Sequence, residues 1–539
     1  MKTLKVLGAV VIASTMVLTA CGAKEEQKPA AGGDNASAGN ATNNQKLDLR
    51  WFLFAPATAN LPSADKDFVK KTIEEKFNVN LKVEYLPFGT DYDTKINVIM
   101  TGGDHPDMFL ANGAASQKFA VDGLLADQSK FVTKQTMPNY FKWITEDEIK
   151  NYQLKGITHS RSPMPFQRGT YGSFYIRKDW LDKFGLQLPK SYDELMTAMK
   201  KFSHEDPDGN GKKDTYGFSA AAAGNRIPLD FPAWIKNGLV ADFMIDEKNL
   251  EFVEVQSDAK VQQVITDIKE MIAAGVVDPD WFVNKTPQHF DKAAQGKVGV
   301  VFATDRNIAL DSVPTSIQAR TKLIDPKADW QPIFPFKDQP YGWKQGTPGG
   351  ASPFLFSKAV ADKNPEKVQR SVQILDWLAS EEGYLMTHYG QEGKHYKKEG
   401  KKITIDPAAY EADVTKNGNF LDIWRFFTNF DDPTVHGLEI IDPRVSDRDR
   451  AVLKFVQEIP KHKGEPVTLA PPQGMNIGDY RKEMARLQMV SLMDDKDASN
   501  WPKYREELMT KYKGKEIFQA YVDQVNSVRP ADKQLKPFK

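Results

Sequence analysis

The sequence predicts an α/β protein built as two lobes, and three observations carry that reading. Apolar residues alternate in short runs that switch with stretches of helical spacing between residues 47 and 110, giving the order β-α-β-α-β of a parallel sheet. A second set of strands and helices starts near Tyr171 after a long irregular stretch. The chain has 539 residues, and even without its polar N-terminal region it exceeds the ~250–300 residues at which one core stops growing.

Leu47, Leu49, Trp51 and Leu53 alternate along a first strand, and Val69, Ile73 and Phe77 recur at helical spacing in 65–77. Val79, Leu81, Val83 and Tyr85 alternate again. A helix over 92–100 stops at Gly102-Gly103, and Met108-Phe109-Leu110 form a third strand. Parallel sheets bind ligands beyond the carboxyl ends of their strands, and the loop Gly103-Asp104-His105-Pro106-Asp107 is expected at such an end. In the second lobe Tyr175-Ile176-Arg177 reads as a strand, and Ser191 with Glu194 makes a capping box for a helix through Leu195, Met199 and Phe202. Ser257 opens a helix that Gly275 stops, Asn364-Pro365 opens another, and 297–302 (KVGVVF) is a short buried strand. The Pro/Gly/aromatic-rich stretch 332–353 reads as a crossover. These boundaries give a first lobe of 46–170 plus about 303–355, and a second of 171–302 plus about 356–539.

Ahead of the lobes, Lys2 and Lys5 precede an apolar run from Val6 to Leu18 closed by Thr19-Ala20, the layout of an export signal over 1–20. Leu18-Thr19-Ala20-Cys21 resembles a bacterial lipobox, which implies diacylglyceryl on the Cys21 sulfur and cleavage before it. Two or three acyl chains at ~0.8 kcal/mol per buried CH₂ hold a protein stably on a membrane. Residues 21–45 lack aromatic and branched apolar side chains and read as a flexible tether. Together these features place the body on the outer face of a membrane.

The chain carries 72 basic and 72 acidic residues, and loss of Lys2 and Lys5 with the signal leaves 70 against 72. Such a balance offers no footprint for nucleic acid. After the signal no run approaches the ~20 apolar residues of a membrane span. One cysteine excludes intramolecular disulfides and thiolate metal cages.

The loop 206–217 has its own chemistry. Asp206, Asp208, Asn210 and Asp214 stand at the first, third, fifth and ninth positions of an EF-hand-like loop, with glycine at the sixth and the Lys212 carbonyl at the seventh. Gly217 occupies the twelfth position, where an EF-hand places a bidentate glutamate, and Thr215 follows the ninth, so the ligand set is incomplete. The alternative is an Asp/Gly/Asn turn without metal. A bound Ca²⁺ would be structural, since no nucleophile is suggested nearby.

Cys21 with its tether, Gly103-Asp104-His105-Pro106-Asp107, Tyr175-Ile176-Arg177-Lys178-Asp179-Trp180-Leu181 followed by Pro189 and Asp193-Glu194-Leu195, the loop 206–217, and Tyr389-Gly390-Gln391-Glu392-Gly393-Lys394-His395-Tyr396 together resemble the extracellular solute-binding proteins of family 1. The likeness is to the large Gram-positive lipoproteins for sugars and oligosaccharides, including alginate-oligosaccharide binders. It implies a periplasmic-binding-protein-like fold, two α/β lobes with crossover hinge segments and a cleft between them. It also implies a monomeric receptor that delivers a solute to the permeases of an ABC importer.

A saccharide cleft mixes aromatic platforms with planar hydrogen-bonding groups. Trp51, Trp234, Trp281 and Trp343, with Asp107, Arg177 and Arg306, fall in or beside predicted loops or strand ends. Each tryptophan has a core role as its alternative, and Arg177 could equally bridge to a carboxylate of its own lobe. A peptide receptor is the rival of the same architecture. A surface carbohydrate-active enzyme is the more distant one: eight histidines without HExxH, GxSxG or a phosphate loop give catalysis no positive support.

Overall fold

The computed structural model describes residues 46–539 apart from 57–58, 88, 155, 167, 169–170, 241, 345, 348–351, 429–432, 465–466, 473 and 476. The signal, Cys21 and the tether of 21–45 therefore lie outside the described residues. The expected β-α-β-α-β order is present as β1 (Leu47–Ala55), α1 (Phe68–Phe77), β2 (Val79–Pro87), α2 (Thr90–Gly102) and β3 (Met108–Leu110). Both β2 and β3 run parallel to β1, with Trp51 opposite Val83 and Met108. Helix α1 is capped by Asp67, whose carboxylate accepts the Lys70 N–H at 2.9 Å, and it buries Val69 and Ile73 against the sheet. A two-residue strand, β4 (Ser162–Pro163), follows a long helical excursion.

The second sheet begins with β5 (Ser173–Arg177), then α3 (Tyr192–His204), β6 (Tyr216–Phe218), α4 (Val261–Ala273), β7 (Val298–Ala303) and β8 (Trp330–Ile333). Its order is β8-β5-β7-β6, with β6 parallel to β7 and β5 antiparallel to both neighbours. Side chains alternate across it: Phe174, Ile176, Val300 and Phe302 enter one core with α3 and α4, while Tyr175, Val301 and Trp330 enter a smaller one on the other face.

The chain then returns. Strand β9 (Pro353–Phe356) inserts between β3 and β4, giving the first sheet the order β2-β1-β3-β9-β4, and α5 (Pro365–Leu378) buries Val368, Val372 and Leu375 in the first core. Helix α6 (Asp447–Glu458) crosses back and puts Val452 and Val456 under the second sheet. Its buried Asp449 accepts the N–H groups of Asp311 and Ser312, each at 2.9 Å. Helix α7 (Ile477–Met489) packs into the second core.

Segment membership differs from the boundaries read in the sequence. Residues 303–333 build on the second sheet, with Trp330 opposite Arg177, and 353–440 build on the first. The cause is long-range pairing: β8 and β9 add as antiparallel neighbours of strands laid down some 150 to 250 residues earlier, which local periodicity does not encode. Helix α4 also starts later than expected, because Ser257 sits in a short 3₁₀ turn held by Glu254. Among the described residues no helix is long and apolar enough to cross a membrane.

Candidate functional site

Parallel strands present their last residues and the loops that follow as the natural ligand face. In the first sheet β1, β2 and β3 end at Ala55, Pro87 and Leu110; in the second, β6 and β7 end at Phe218 and Ala303, beside Ser173 at the start of β5. Two connections between the sheets leave from this region. Between these connections the Gly346 N–H donates to the Arg168 carbonyl at 3.0 Å. Arg168 is fixed by a fork onto Glu148 at 2.6 and 2.9 Å and lies 4.8 Å from the Phe166 ring. Burial alone would raise the Glu148 carboxyl, but the guanidinium and the Thr145 N–H hold it below its ordinary range.

At the end of the second sheet, Trp343 lies flat on Gly172 and against Phe302, ring centroids 5.0 Å apart. A Cβ on residue 172 would come within 2.4 Å of the indole, so only glycine admits the ring. On the other face of that strand end, Tyr171 packs on the smaller core, and the Arg306 guanidinium sits 5.1 Å from its ring and donates to its hydroxyl at 3.3 Å. The Tyr171–Arg306 pair sets an aromatic ring beside a planar donor, the chemistry that a sugar ring or a planar amide can use, and Trp343 adds an indole on the opposite face of the same strand end.

The loop after β6 is held unusually firmly. Ser219 donates to Asp278 at 2.7 Å, and Lys292 reaches the same carboxylate at 2.8 and 2.9 Å and Asp280 at 2.8 Å. Burial opposes ionisation of Asp278, yet the Lys292 ammonium, the Ser219 hydroxyl and the Asn284 amide keep its carboxyl below the usual range. Nearby, burial pushes His289 down to about 4, so that imidazole is neutral at physiological pH. Desolvation raises Asp230 to about 6, against the Ala221 N–H and the charge of Arg226.

Most of the residues singled out from sequence lie elsewhere. Trp51 is 0 % exposed on β1, its indole N–H donating to Ser371 Oγ at 3.2 Å. Trp234 is buried with its N–H on the Pro228 carbonyl at 3.0 Å, and Trp281 is buried edge-on to Phe231. All three belong to the cores, because an indole beside a strand end can turn inward as readily as outward. Arg177 is 1 % exposed and forks onto Asp179 at 2.8 and 2.6 Å with Asp325 at 2.9 Å, so it is an internal tie. Asp107 precedes β3 and thus lies at the amino end of the parallel strands, accepting the Arg50 N–H at 2.7 Å and facing Lys367 at 3.3 Å. A helix-to-strand loop in a βαβ unit always falls at that end, which corrects the placement of 103–107. Arg306 and Trp343 lie at the carboxyl end of the second sheet. Tyr171 and the loop 219–230 were missed, and the small-residue run Ser219-Ala-Ala-Ala-Ala-Gly224 directly after a strand was the available signal.

The loop 206–217 enters β6 from its amino end, the pole opposite the ligand face. The Asp206 carboxylate accepts the N–H groups of Gly209, Asn210 and Gly211 at 2.8 to 3.0 Å. The Asn210 amide bridges Asp208 at 2.8 Å and Asp214 at 3.1 Å, and Lys297 sits 2.7 Å from the other Asp214 oxygen. Partial burial and then the neighbouring Asp206 carboxyl push Asp208 up, while Lys297 and Asn210 hold Asp214 down. Two carboxylates, Asp208 and Asp214, thus share one amide, Lys297 meets Asp214 alone, and Asp206 is taken up by the loop backbone; oxygen donors of this kind suit a hard cation. Among the described residues no three His, Cys, Asp or Glu side chains are gathered closely enough to form a metal cage by themselves. Calcium would require Asn210 to present its oxygen and Lys297 to withdraw. Thr215 contributes nothing, since its buried hydroxyl donates to the Phe202 carbonyl at 2.6 Å.

Residues 69–393 match the family described as bacterial extracellular solute-binding protein. The chain is 24 % identical to lipoprotein LipO of Bacillus subtilis over 68 % of its own length and 71 % of the relative's. It is 26 % identical to the polygalacturonan/rhamnogalacturonan-binding protein YtcQ of the same organism, over 69 % and 72 %. Its fold is shared with a solved HMO-binding, ABC-transporter-associated solute-binding protein from Bifidobacterium longum infantis (TM-score 0.66, 19 % identity, 89 % of this chain and 99 % of that one). It is shared as well with an EF-hand mutant of the Streptococcus pneumoniae ABC-transporter substrate-binding protein FusA in complex with fructo-nystose (0.61, 15 %, 89 % and 100 %).

Proposed function

The chain belongs to the bacterial extracellular solute-binding proteins, and from that premise we propose that it is a lipid-anchored receptor which captures an oligosaccharide and delivers it to the permeases of an ABC importer. The observation that carries the choice of ligand is the Tyr171–Arg306 pair at the carboxyl end of the second sheet, an aromatic face with a planar donor beside it, with the Trp343 indole at the same end on the opposite face. The names of YtcQ and FusA point the same way. Two α/β lobes, one around each sheet, close on the sugar, and the permease distinguishes loaded from empty receptor by shape. The receptor acts as a monomer and performs no chemistry on its ligand. Cys21, outside the described residues, carries the lipid and confines the receptor to the membrane surface on which its permease works.

Calcium belongs to the same reading as a structural ion. Asp206, Asp208, Asn210, the Lys212 carbonyl and Asp214 hold it at the amino end of β6, where it neutralises the converging carboxylates and stiffens the entry to that strand.

A thermal-shift and calorimetric panel of fructo-, gluco- and galacturono-oligosaccharides and of short peptides tests the function. Saturation at 100 Kd should stabilise the protein by about 2.7 kcal/mol, and Trp343→Ala should weaken saccharide binding about tenfold. Stabilisation by peptides and by no saccharide would reverse the choice of ligand.

A further inference from the structure

A groove of about 820 Å³ opens between the loop after β6 and helix α7, within the range of small-ligand sites. One wall is helical. Lys482, Arg486, Met489 and Met493 recur at i, i+4, i+7 and i+11, a stripe that lines the groove. Helix α7 passes into a π-helical turn over Val490–Asp494, an uncommon conformation that concentrates at functional sites. Lys269 clamps that turn, donating to the carbonyls of Leu492 and Asp495 at 2.8 Å each.

The other wall is a loop fixed by its backbone. The N–H groups of Ala222, Ala223 and Gly224 donate to the carbonyls of Trp281, Asn284 and Phe282 at 3.0, 2.9 and 2.7 Å. This ladder holds Ala223 at φ 51°, a left-handed conformation that costs a non-glycine residue about 1 kcal/mol and persists where surroundings over-determine it. The consequence is that Arg226 and Phe282 stand on one rigid edge facing the α7 stripe.

The charges of the groove are unequal. Arg226 and Lys482 are exposed, whereas Arg486, 56 % exposed at its side chain, forks onto its helical neighbour Glu483 at 2.6 to 3.1 Å and also faces Glu507. Arg481 is turned inward onto the buried Glu254. Against the two outward cations Arg226 and Lys482 the lining has one acid, Asp494, and an apolar part that includes Phe282 and Met489.

We infer that this groove is an anion subsite for a carboxylate-bearing oligosaccharide, a chain of uronate type, running outward from the carboxyl end of β6. This rests on the oligosaccharide-receptor reading above. The Arg226 guanidinium matches a carboxylate in planar, forked geometry, and the Lys482 ammonium adds a second positive charge. Phe282 and Met489 take the C–H faces of sugar rings, and Asp494 accepts hydroxyl hydrogens, a group that a dense polyphosphate would not tolerate there.

The test is isothermal titration of the full mature protein with tetragalacturonate and with maltotetraose, repeated on Arg226→Gln/Lys482→Gln. Both side chains are exposed, and unchanged circular dichroism and melting temperature verify the fold. The expected result is tetragalacturonate binding that weakens with added salt and falls about tenfold or more in the double variant. Equal affinity in parent and variant overturns the inference. Binding of maltotetraose but not tetragalacturonate overturns the subsite and leaves the oligosaccharide receptor standing. Failure to bind any member of the wider saccharide panel overturns both. Binding to phosphatidylglycerol vesicles that depends on Arg226 and Lys482, with no saccharide effect, assigns the groove to lipid headgroups instead.

Discussion

Replacing Trp51 separates a core tryptophan from a ligand platform. The side chain is fully buried between β2 and β3, its ring centroid lies 5.4 Å from that of Phe427, and its N–H is held by Ser371. A buried indole removes about 200 Å² from water, which at 25 cal/mol/Å² is about 5 kcal/mol, at the upper end of the 3–5 kcal/mol that Trp→Ala changes cost in cores. Trp51→Ala should therefore lose about 3–5 kcal/mol and fold poorly. Trp51→Phe keeps most of the ring volume and gives up the N–H···Oγ bond, so about 1–2 kcal/mol is expected. Urea unfolding followed by circular dichroism reads the loss as a lower midpoint at unchanged slope. Calorimetric titration of folded Trp51→Phe should return the parent's saccharide affinity. The reasoning is refuted if Trp51→Phe is as stable as the parent while saccharide binding is lost, because the indole would then be serving the ligand.

Three further outcomes are expected. Ca²⁺ should raise the melting temperature of the parent and not that of Asp208→Ala, since Asp208 meets Asp214 at the Asn210 amide; an equal calcium response in both proteins removes the loop as the site. Asp230 is held at about 6, above its ordinary value, so the native state binds its proton more tightly than the unfolded chain does. Stability contributed by the protonated form is present below about pH 4 and lost as pH rises through 6. Asp230→Asn should therefore stabilise by about 1–2 kcal/mol at pH 8, discounted for the part of the side chain still in water, and by little at pH 4; a pH-independent effect in thermal melts rejects this. Cys21→Ser should release the protein into the medium with its ligand affinity intact, as cell fractionation and titration of the released protein would show, and lost affinity would give this cysteine another role.

Local chemistry is what the sequence exposed. The 2.0 and 3.6 periods of 47–110 gave the first five elements with their order and parallel sense, because burial on one face of a strand or helix leaves its imprint within ten residues. That Asp208 and Asp214 meet at the Asn210 amide was readable for the same reason: a tight loop brings its own alternating side chains together. The family followed from the order of such motifs along the chain.

Tertiary structure alone decided which lobe owns 303–333 and 353–440, since antiparallel addition of β8 and β9 joins strands far apart in sequence. It also decided which way each large side chain turns. Trp51 and Trp343 look equivalent as tryptophans beside strand residues, yet one is enclosed by β2, β3 and α5, and the other rests on the bare backbone of Gly172. The same holds for the arginines: Arg177 meets two carboxylates of its own lobe, while Arg226 is carried on a loop whose backbone bonds fix it at the edge of a groove. Residue type and spacing determine what chemistry a segment can offer. Whether that chemistry faces a core or a ligand depends on packing partners supplied from distant parts of the chain.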